Sequence, residues 1–143
     1  YSISVYVVSR KYNDLELDIM GFDIDKKAVE IAKENAYNAG VDEDIQFIRK
    51  DVKYVGLQNN FGVLISNPPY GERIGDDREI RKIYKKISEY LSQLSTWSFY
   101  IITSDKDFEE SVNRWADRKR KLYNGRIEVD LYQYYGPDPS LLK

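Results

Sequence analysis

The sequence contains no cysteine and no histidine. The first absence removes disulfides and thiolate metal sites; the second removes the imidazole general base and ordinary zinc chemistry. No apolar run approaches the roughly 20 residues needed to span a bilayer, and no secretory leader is visible. Positive charge is not in excess: 22 Lys and Arg face 24 Asp and Glu, a net charge of −2, so bulk charge does not mark a basic nucleic-acid module. Glycine is scarce at eight residues, and none precedes Gly21. No metal site is expected.

What is present is a soluble globular composition, 42% hydrophobic and 32% charged, of a length that suits one domain with one core. Thirteen tyrosines and five phenylalanines are many for 143 residues. Some belong to the core, and others can stack on planar ligands. The first residue is Tyr1, which reads as a fragment or a processed piece.

Periodicity predicts strands at Ser2–Val8, Leu17–Phe22, Ile45–Arg49, along "FGVLISN" and at Ser98–Thr103. Helices are predicted over Lys26–Ala39, Asp77–Leu94 and Asp107–Ala116. The first has Ala28, Ile31, Ala32, Asn35 and Ala39 near one face, with Asp25 as its cap and Gly40 as its stop. The second carries Ile80, Ile83, Tyr84, Ile87, Leu91 and Leu94 on one stripe. Asn124-Gly125 between two strand-like runs signals a hairpin, and the tail from Gly136 reads as loop. Alternating strands and helices argue for an α/β domain over 1–143 with a parallel sheet, closed by an antiparallel hairpin. Residues 1–16 have no defined place in it.

Asp23 and Asp51 follow predicted strands, where open α/β sheets bind ligands. A carboxylate there accepts from both hydroxyls of a ribose, and a second can accept from an adenine amine. The plainer reading makes Asp23 and Asp25 a turn and helix cap, and Asp51 a solvated loop acid.

The run "VLISNPPYGER" is more specific. Asn-Pro-Pro-Tyr has a chance occurrence of roughly one in a few thousand for such a chain. It follows a buried strand directly, where a ligand-facing loop belongs. The Asn67 amide oxygen and the Pro68 carbonyl can converge on the two hydrogens of an exocyclic amine, favouring the positive charge that develops as it attacks a methyl sulfonium. Tyr70 can stack on the base, worth about 1–3 kcal/mol. Read structurally, the same residues are a rigid turn with a packed tyrosine.

"SNPPY" after a strand resembles the catalytic motif of S-adenosylmethionine-dependent amino-methyltransferases. With "NPPYGERIG", "WSFYIITSDKDFE" and "DRKRKLYNGRIEVDLYQYYGP", the chain from about Leu17 to Pro137 resembles the THUMP-associated guanine-N2 RNA methyltransferases, in particular the bacterial large-subunit ribosomal RNA enzymes. Relatives in that family are often labelled N6-adenine DNA methylases. The resemblance implies a Rossmann-like class I methyltransferase fold, seven-stranded with an antiparallel last strand. It implies S-adenosylmethionine as cofactor, RNA as partner and a cytoplasmic enzyme. Asp23 would bind the ribose and Asp51 would lie by the adenine, with Ile24 and Val52 beside them also cofactor-binding. Asn67, Pro68, Pro69 and Tyr70 would hold the target base, with Asn67 also near the cofactor.

The family's Gly-rich strand–loop–helix ahead of "GFDID" has no counterpart here, nor has the THUMP domain. The chain is therefore expected to be the C-terminal part of a longer enzyme, or a version without its first motif. Alone it would bind cofactor weakly or not at all, and a homodimer or a separate N-terminal part could complete it. Arg73 and the basic run Arg118, Lys119, Arg120 and Lys121 are candidate RNA contacts; the run can equally be a hairpin edge blunted by charge. The basic side of the helix from Asp77 reads as a solvated face. Two alternatives stand beside guanine-N2 transfer: N6-adenine methylation, and a non-catalytic scaffold.

Overall fold

A computed structural model describes residues 5–10, 17–58, 60–69 and 77–141. In chain order the elements are β1 (Val5–Arg10), β2 (Leu17–Asp23), α1 (Lys26–Ala39), β3 (Ile45–Arg49), β4 (Gly62–Ser66), α2 (Asp77–Gln93), β5 (Ser98–Thr103), α3 (Phe108–Ser111), β6 (Arg118–Asn124) and β7 (Ile127–Tyr134). Single 3₁₀ turns occupy Val52–Tyr54 and Pro139–Leu141, the second in the tail expected to be loop. The strands form one sheet in the order β3-β2-β1-β4-β5-β7-β6.

The sheet is not parallel throughout its centre. β2 and β3 are parallel, as are β4 and β5, but β1 runs antiparallel to both β2 and β4. The cause is covalent. Only six residues, 11–16, join β1 to β2, and a parallel neighbour needs a crossover of about a dozen or more. The strand expected at Ser2–Val8 is observed at Val5–Arg10, and Ser2 to Ser4 lie outside the described residues. β2 and β4 both oppose β1, so β2, β3, β4 and β5 point one way and share a carboxyl edge. β7 is antiparallel to β5, and β6 to β7.

α1 is capped as the sequence implied. The Asp25 side chain accepts from the Lys27 N–H at 2.8 Å, and Gly40 ends the helix at φ +70°. Its buried residues are Val29 and Ala36, with Ala28 and Ala32 half-buried; Ile31, expected to face inward, is exposed. α2 buries Ile83, Tyr84, Ile87, Tyr90 and Leu91. They pack against Phe22, Leu64, Phe99, Ile101, Tyr132 and Tyr134 on one face of the sheet. α1 lies against Gly21 and Phe47 on the opposite face, over β2 and β3.

The helix expected over Asp107–Ala116 is one turn. Asn113 adopts φ +53°, its N–H bonds the Glu110 carbonyl, and the Arg114 N–H bonds the Glu109 carbonyl, both at 3.0 Å. That paired arrangement closes a helix terminus. The hairpin loop is shifted by one residue from expectation. Asn124 pairs with Ile127, so Gly125-Arg126 forms the turn, with Gly125 at φ +63°. Glycine in the first loop position suits a two-residue hairpin.

Candidate active site

The carboxyl edge of β2, β3 and β4 collects three of the residues singled out by sequence. Asp23 ends β2 and is buried, at 5% exposure. Its Oδ1 accepts from the Asp25 N–H at 2.8 Å, and its carbonyl accepts from the Lys50 N–H at 2.9 Å. That second bond draws the chain after β3 against the end of β2. The plainer reading therefore holds for both, Asp23 as the turn and Asp25 as the cap, and Asp23 is in addition a buried strand-end carboxylate. Ile24 beside it is exposed, and its carbonyl accepts from Arg49 Nε at 3.0 Å.

Asp51 caps the following 3₁₀ turn. Oδ1 accepts from the Lys53 N–H at 2.9 Å, and Oδ2 lies 3.2 Å from Lys53 Nζ. Val52 is buried in the core. Lys53 Nζ also reaches Glu79 Oε2 at 2.8 Å, and Glu79 takes Lys82 Nζ at 2.6 Å. Lys53 thus fastens Asp51 to the first turns of α2. Sequence reading missed Lys53 and Glu79; the only local signal was a lysine two residues after Asp51.

Hydrogen bonds from Lys53 first, and then from Lys82, lower the Glu79 carboxyl from 4.5 to about 2. Hydrogen bonds to Glu79 first, and then to Asp51, raise Lys53 above the usual lysine value. Because the folded value is depressed, the pairing stabilises the fold fully above about pH 4.5 and loses that contribution as pH falls towards 2. NMR titration is expected to place Glu79 near the lower value, and Lys53→Met to move it up part of the way, Lys82 remaining. A Glu79 that titrates normally in the unmodified chain removes the network.

Burial alternates along β4 and beyond it. Leu64, Ser66 and Pro68 are buried, whereas Ile65 and Asn67 are exposed. The Asn67 amide makes no side-chain hydrogen bond among the described residues. Pro68 is fully buried and Pro69 half-buried, which anchors the backbone that presents Asn67. Tyr70 and Arg73 lie outside the described residues. A groove of about 480 Å³ runs between α1 and β3, lined by Lys33, Tyr37, Phe47 and their neighbours. It sits on the far edge of the sheet and touches neither Asp51 nor Asn67, so it is not the strand-end site. A cleft under α1 that includes Asp23 has room only for about 20 Å³.

Residues 6–133 match the family described as UPF0020, RMKL-like, methyltransferase domain. The chain belongs to this family. It is 46% identical over 129 residues to the Bacillus subtilis protein named "Putative RNA methyltransferase YpsC", covering 90% of this chain and 34% of that protein. It is 36% identical over 114 residues to a Shewanella baltica "Ribosomal RNA large subunit methyltransferase K/L", covering 79% of this chain and 16% of that one. The crystal structure of "SMU.472, a putative methyltransferase complexed with SAH" superposes with a TM-score of 0.80 at 46% identity, over 88% of this chain and 33% of that one. The chain thus spans about a third of the length of YpsC and of SMU.472. The fold of this RMKL-like chain is the Rossmann-like class I methyltransferase fold, α/β with an antiparallel closing hairpin. No described helix is long and apolar enough to cross a membrane.

In this RMKL-like chain the basic run is not one patch. Strand alternation in β6 sends its members to opposite faces. Lys119 pairs with Glu109 at 3.4 Å and lies 5.2 Å from the Tyr132 ring, and Lys121 pairs with Glu128 at 3.2 Å. Arg118 and Arg120 face the other way, exposed, with no carboxylate partner among the described residues. The edge-blunting reading fits the lysines, and only the arginines are left for a ligand.

Proposed function

We propose that this chain is the catalytic part of an S-adenosylmethionine-dependent RNA methyltransferase that modifies an exocyclic amine, N2 of guanine in large-subunit ribosomal RNA, in the cytoplasm. The observation that carries this reading is the alignment of Asp23, Asp51 and Asn67 along one carboxyl edge of the sheet. The names of the K/L and YpsC relatives and the SAH held by SMU.472 support it.

The residues fit the cofactor. Asp23 is acceptor-only with two oxygens, and it is shielded from water at a strand end, as a ribose diol requires. Exposed Ile24 beside it can lie against a base, and Asp51 can accept from an adenine amine while keeping Lys53. When bound, S-adenosylmethionine supplies an electrophilic methyl group. Asn67 and the Pro68 carbonyl would hold the two amine hydrogens of an extruded base and stabilise positive charge on that nitrogen. Tyr70 would back the base. No general base is needed for the attack itself, in keeping with a chain without histidine.

A second reading has its own support. β1 fills the central slot in reverse, so its C-terminal end leaves the sheet opposite to Asp23. The start of β1, not its end, then lies beside Phe22 and Ser66 at the carboxyl edge, which favours a non-catalytic scaffold. Calorimetry with SAH separates the two. Weak binding is expected, reduced roughly tenfold or more in Asp23→Ala by loss of charged hydrogen bonds. No heat at millimolar SAH leaves the scaffold reading in possession. Nucleoside analysis of methylated RNA then distinguishes N2-methylguanine from N6-methyladenine, whose amine fits the same two acceptors.

A further inference from the structure

The backbone of the turn after β3 is fixed by contacts that do not involve the Lys53 side chain. The Tyr54 N–H bonds the Asp51 carbonyl at 2.9 Å, and the Tyr90 hydroxyl donates to the Val52 carbonyl at 3.1 Å. Val52 and Val55 are buried in one cluster with Tyr90 and Leu91 of α2. The Lys53 ammonium meets two carboxylates instead: Asp51 Oδ2 at 3.2 Å and Glu79 Oε2 at 2.8 Å. Ion pairs with this much access to water add little to a fold. Their geometry matters more for what it does to Asp51.

Both oxygens of Asp51 are engaged by one residue. Oδ1 accepts from the Lys53 N–H at 2.9 Å, and Oδ2 faces Lys53 Nζ. The N–H alone would leave the carboxylate free to swing about one oxygen; the ammonium fixes its plane. Each carboxylate oxygen has two lone pairs, so each keeps one for a further donor. The ammonium is itself braced from the far side. Glu79 holds it, Lys82 holds Glu79 at 2.6 Å, and Glu79 keeps its charge down to about pH 2. Asp51 is therefore a half-buried acceptor, its side chain 18% exposed, with a set direction.

We infer that Lys53 is a positioning residue: its two donors, braced by Glu79, orient the Asp51 carboxylate to accept from the 6-amino group of the cofactor's purine. The assignment rests on the cofactor reading above and adds which side chain sets the preference for an aminopurine. A loosely held carboxylate would be ordered only on binding, at an entropic cost; one already ordered avoids that loss. Lys53 acts through Asp51 and need not touch the ligand. Its effect is therefore confined to ligands that carry the amine.

The test is NMR titration of this chain with SAH and with the SAH analogue whose purine lacks the 6-amino group. The unmodified chain is expected to bind SAH roughly tenfold or more tightly than the analogue, as for a hydrogen bond to a charged group. Lys53→Met should shrink that preference to about threefold or less while leaving affinity for the analogue within about twofold, the two chains and two ligands forming a cycle that isolates the coupling of Lys53 to the amine. Lys53→Arg should restore most of the preference, and Glu79→Gln should lower it in part. Lys82→Met removes the other partner of Glu79 but no described contact of Asp51, and should leave the preference unchanged. Equal loss of both ligands in Lys53→Met, a preference that Lys53→Met does not alter, or an equal effect of Lys82→Met overturns the inference and leaves the methyltransferase reading standing. So does an unmodified chain that binds the two ligands alike. If Lys53→Met fails to fold, Glu79→Gln carries the comparison, and an unchanged preference there overturns the inference. Absence of SAH binding by the unmodified chain overturns the methyltransferase reading, and this inference with it.

Discussion

Asn67→Ala is expected to lower methyl transfer to RNA by roughly a hundred- to a thousand-fold while leaving the fold unchanged. The size follows from the proposed role. The amide oxygen is one of two preorganised acceptors placed where positive charge develops, and deleting a single such group in other enzymes costs about 10²–10³ in turnover. The lack of a stability effect follows from geometry. Asn67 is exposed and its amide makes no hydrogen bond among the described residues, so truncation should fall within about 0.5 kcal/mol. Incorporation of a labelled methyl group measures the first effect and thermal unfolding the second. Turnover near that of the unmodified chain, or a loss that tracks unfolding, ends the role proposed for this side chain. Asn67→Asp should keep part of the activity, because it retains an acceptor.

Tyr132→Ala is expected to destabilise the domain by about 3–5 kcal/mol, a large fraction of the roughly 5–15 kcal/mol that holds a typical domain together. Tyr132 lies on β7 between β5 and β6 and has no exposed surface. Its ring centroid is 4.9 Å from that of Phe108, and its hydroxyl donates to the Asp105 carbonyl at 3.1 Å. Truncation leaves a void enclosed by strands that cannot close around it, and orphans that carbonyl. Tyr132→Phe isolates the hydroxyl and should cost only about 1 kcal/mol. Urea unfolding of the two variants tests the separation; similar losses would mean that the hydrogen bond, not the packed ring, is the main contributor.

Local signals carried much of this fold. The caps at Asp25 and Gly40 and the stripe on α2 are decided by residues close in sequence, and they were legible. The direction of β1 was not read, although the means were there: an alternating strand looks the same in either direction, but six linking residues exclude a parallel neighbour. α3 was overextended because Asn113 was not recognised as a left-handed stop. The face of α1 was misassigned by about one position, since its alanines give a shallow apolar contrast on which Val29 and not Ile31 decides the inward side. At the site, Asp23, Asp51 and Asn67 could be picked out because each follows a strand. Lys53–Glu79 could not, because its partners are 26 residues apart and meet only once α2 is docked. The splitting of Arg118–Lys121 was implicit in reading that run as a strand, since a strand puts neighbours on opposite sides.

The reversed β1 has a mechanical consequence. Within the sheet it joins the two-stranded wing that carries Asp23 and Asp51 to the four-stranded wing that carries Asn67, with six register pairs on one side and five on the other. Across that seam the clasps are Lys53 to Glu79 and the Tyr90 hydroxyl to the Val52 and Val55 carbonyls. The gap between the acids and the amide is therefore gauged by that strand and held by Lys53, Tyr90 and the core packing of Phe22, Val52 and Val55 against α2. A change along Val5–Arg10 alters the spacing of the whole site even though none of its residues needs to touch a ligand.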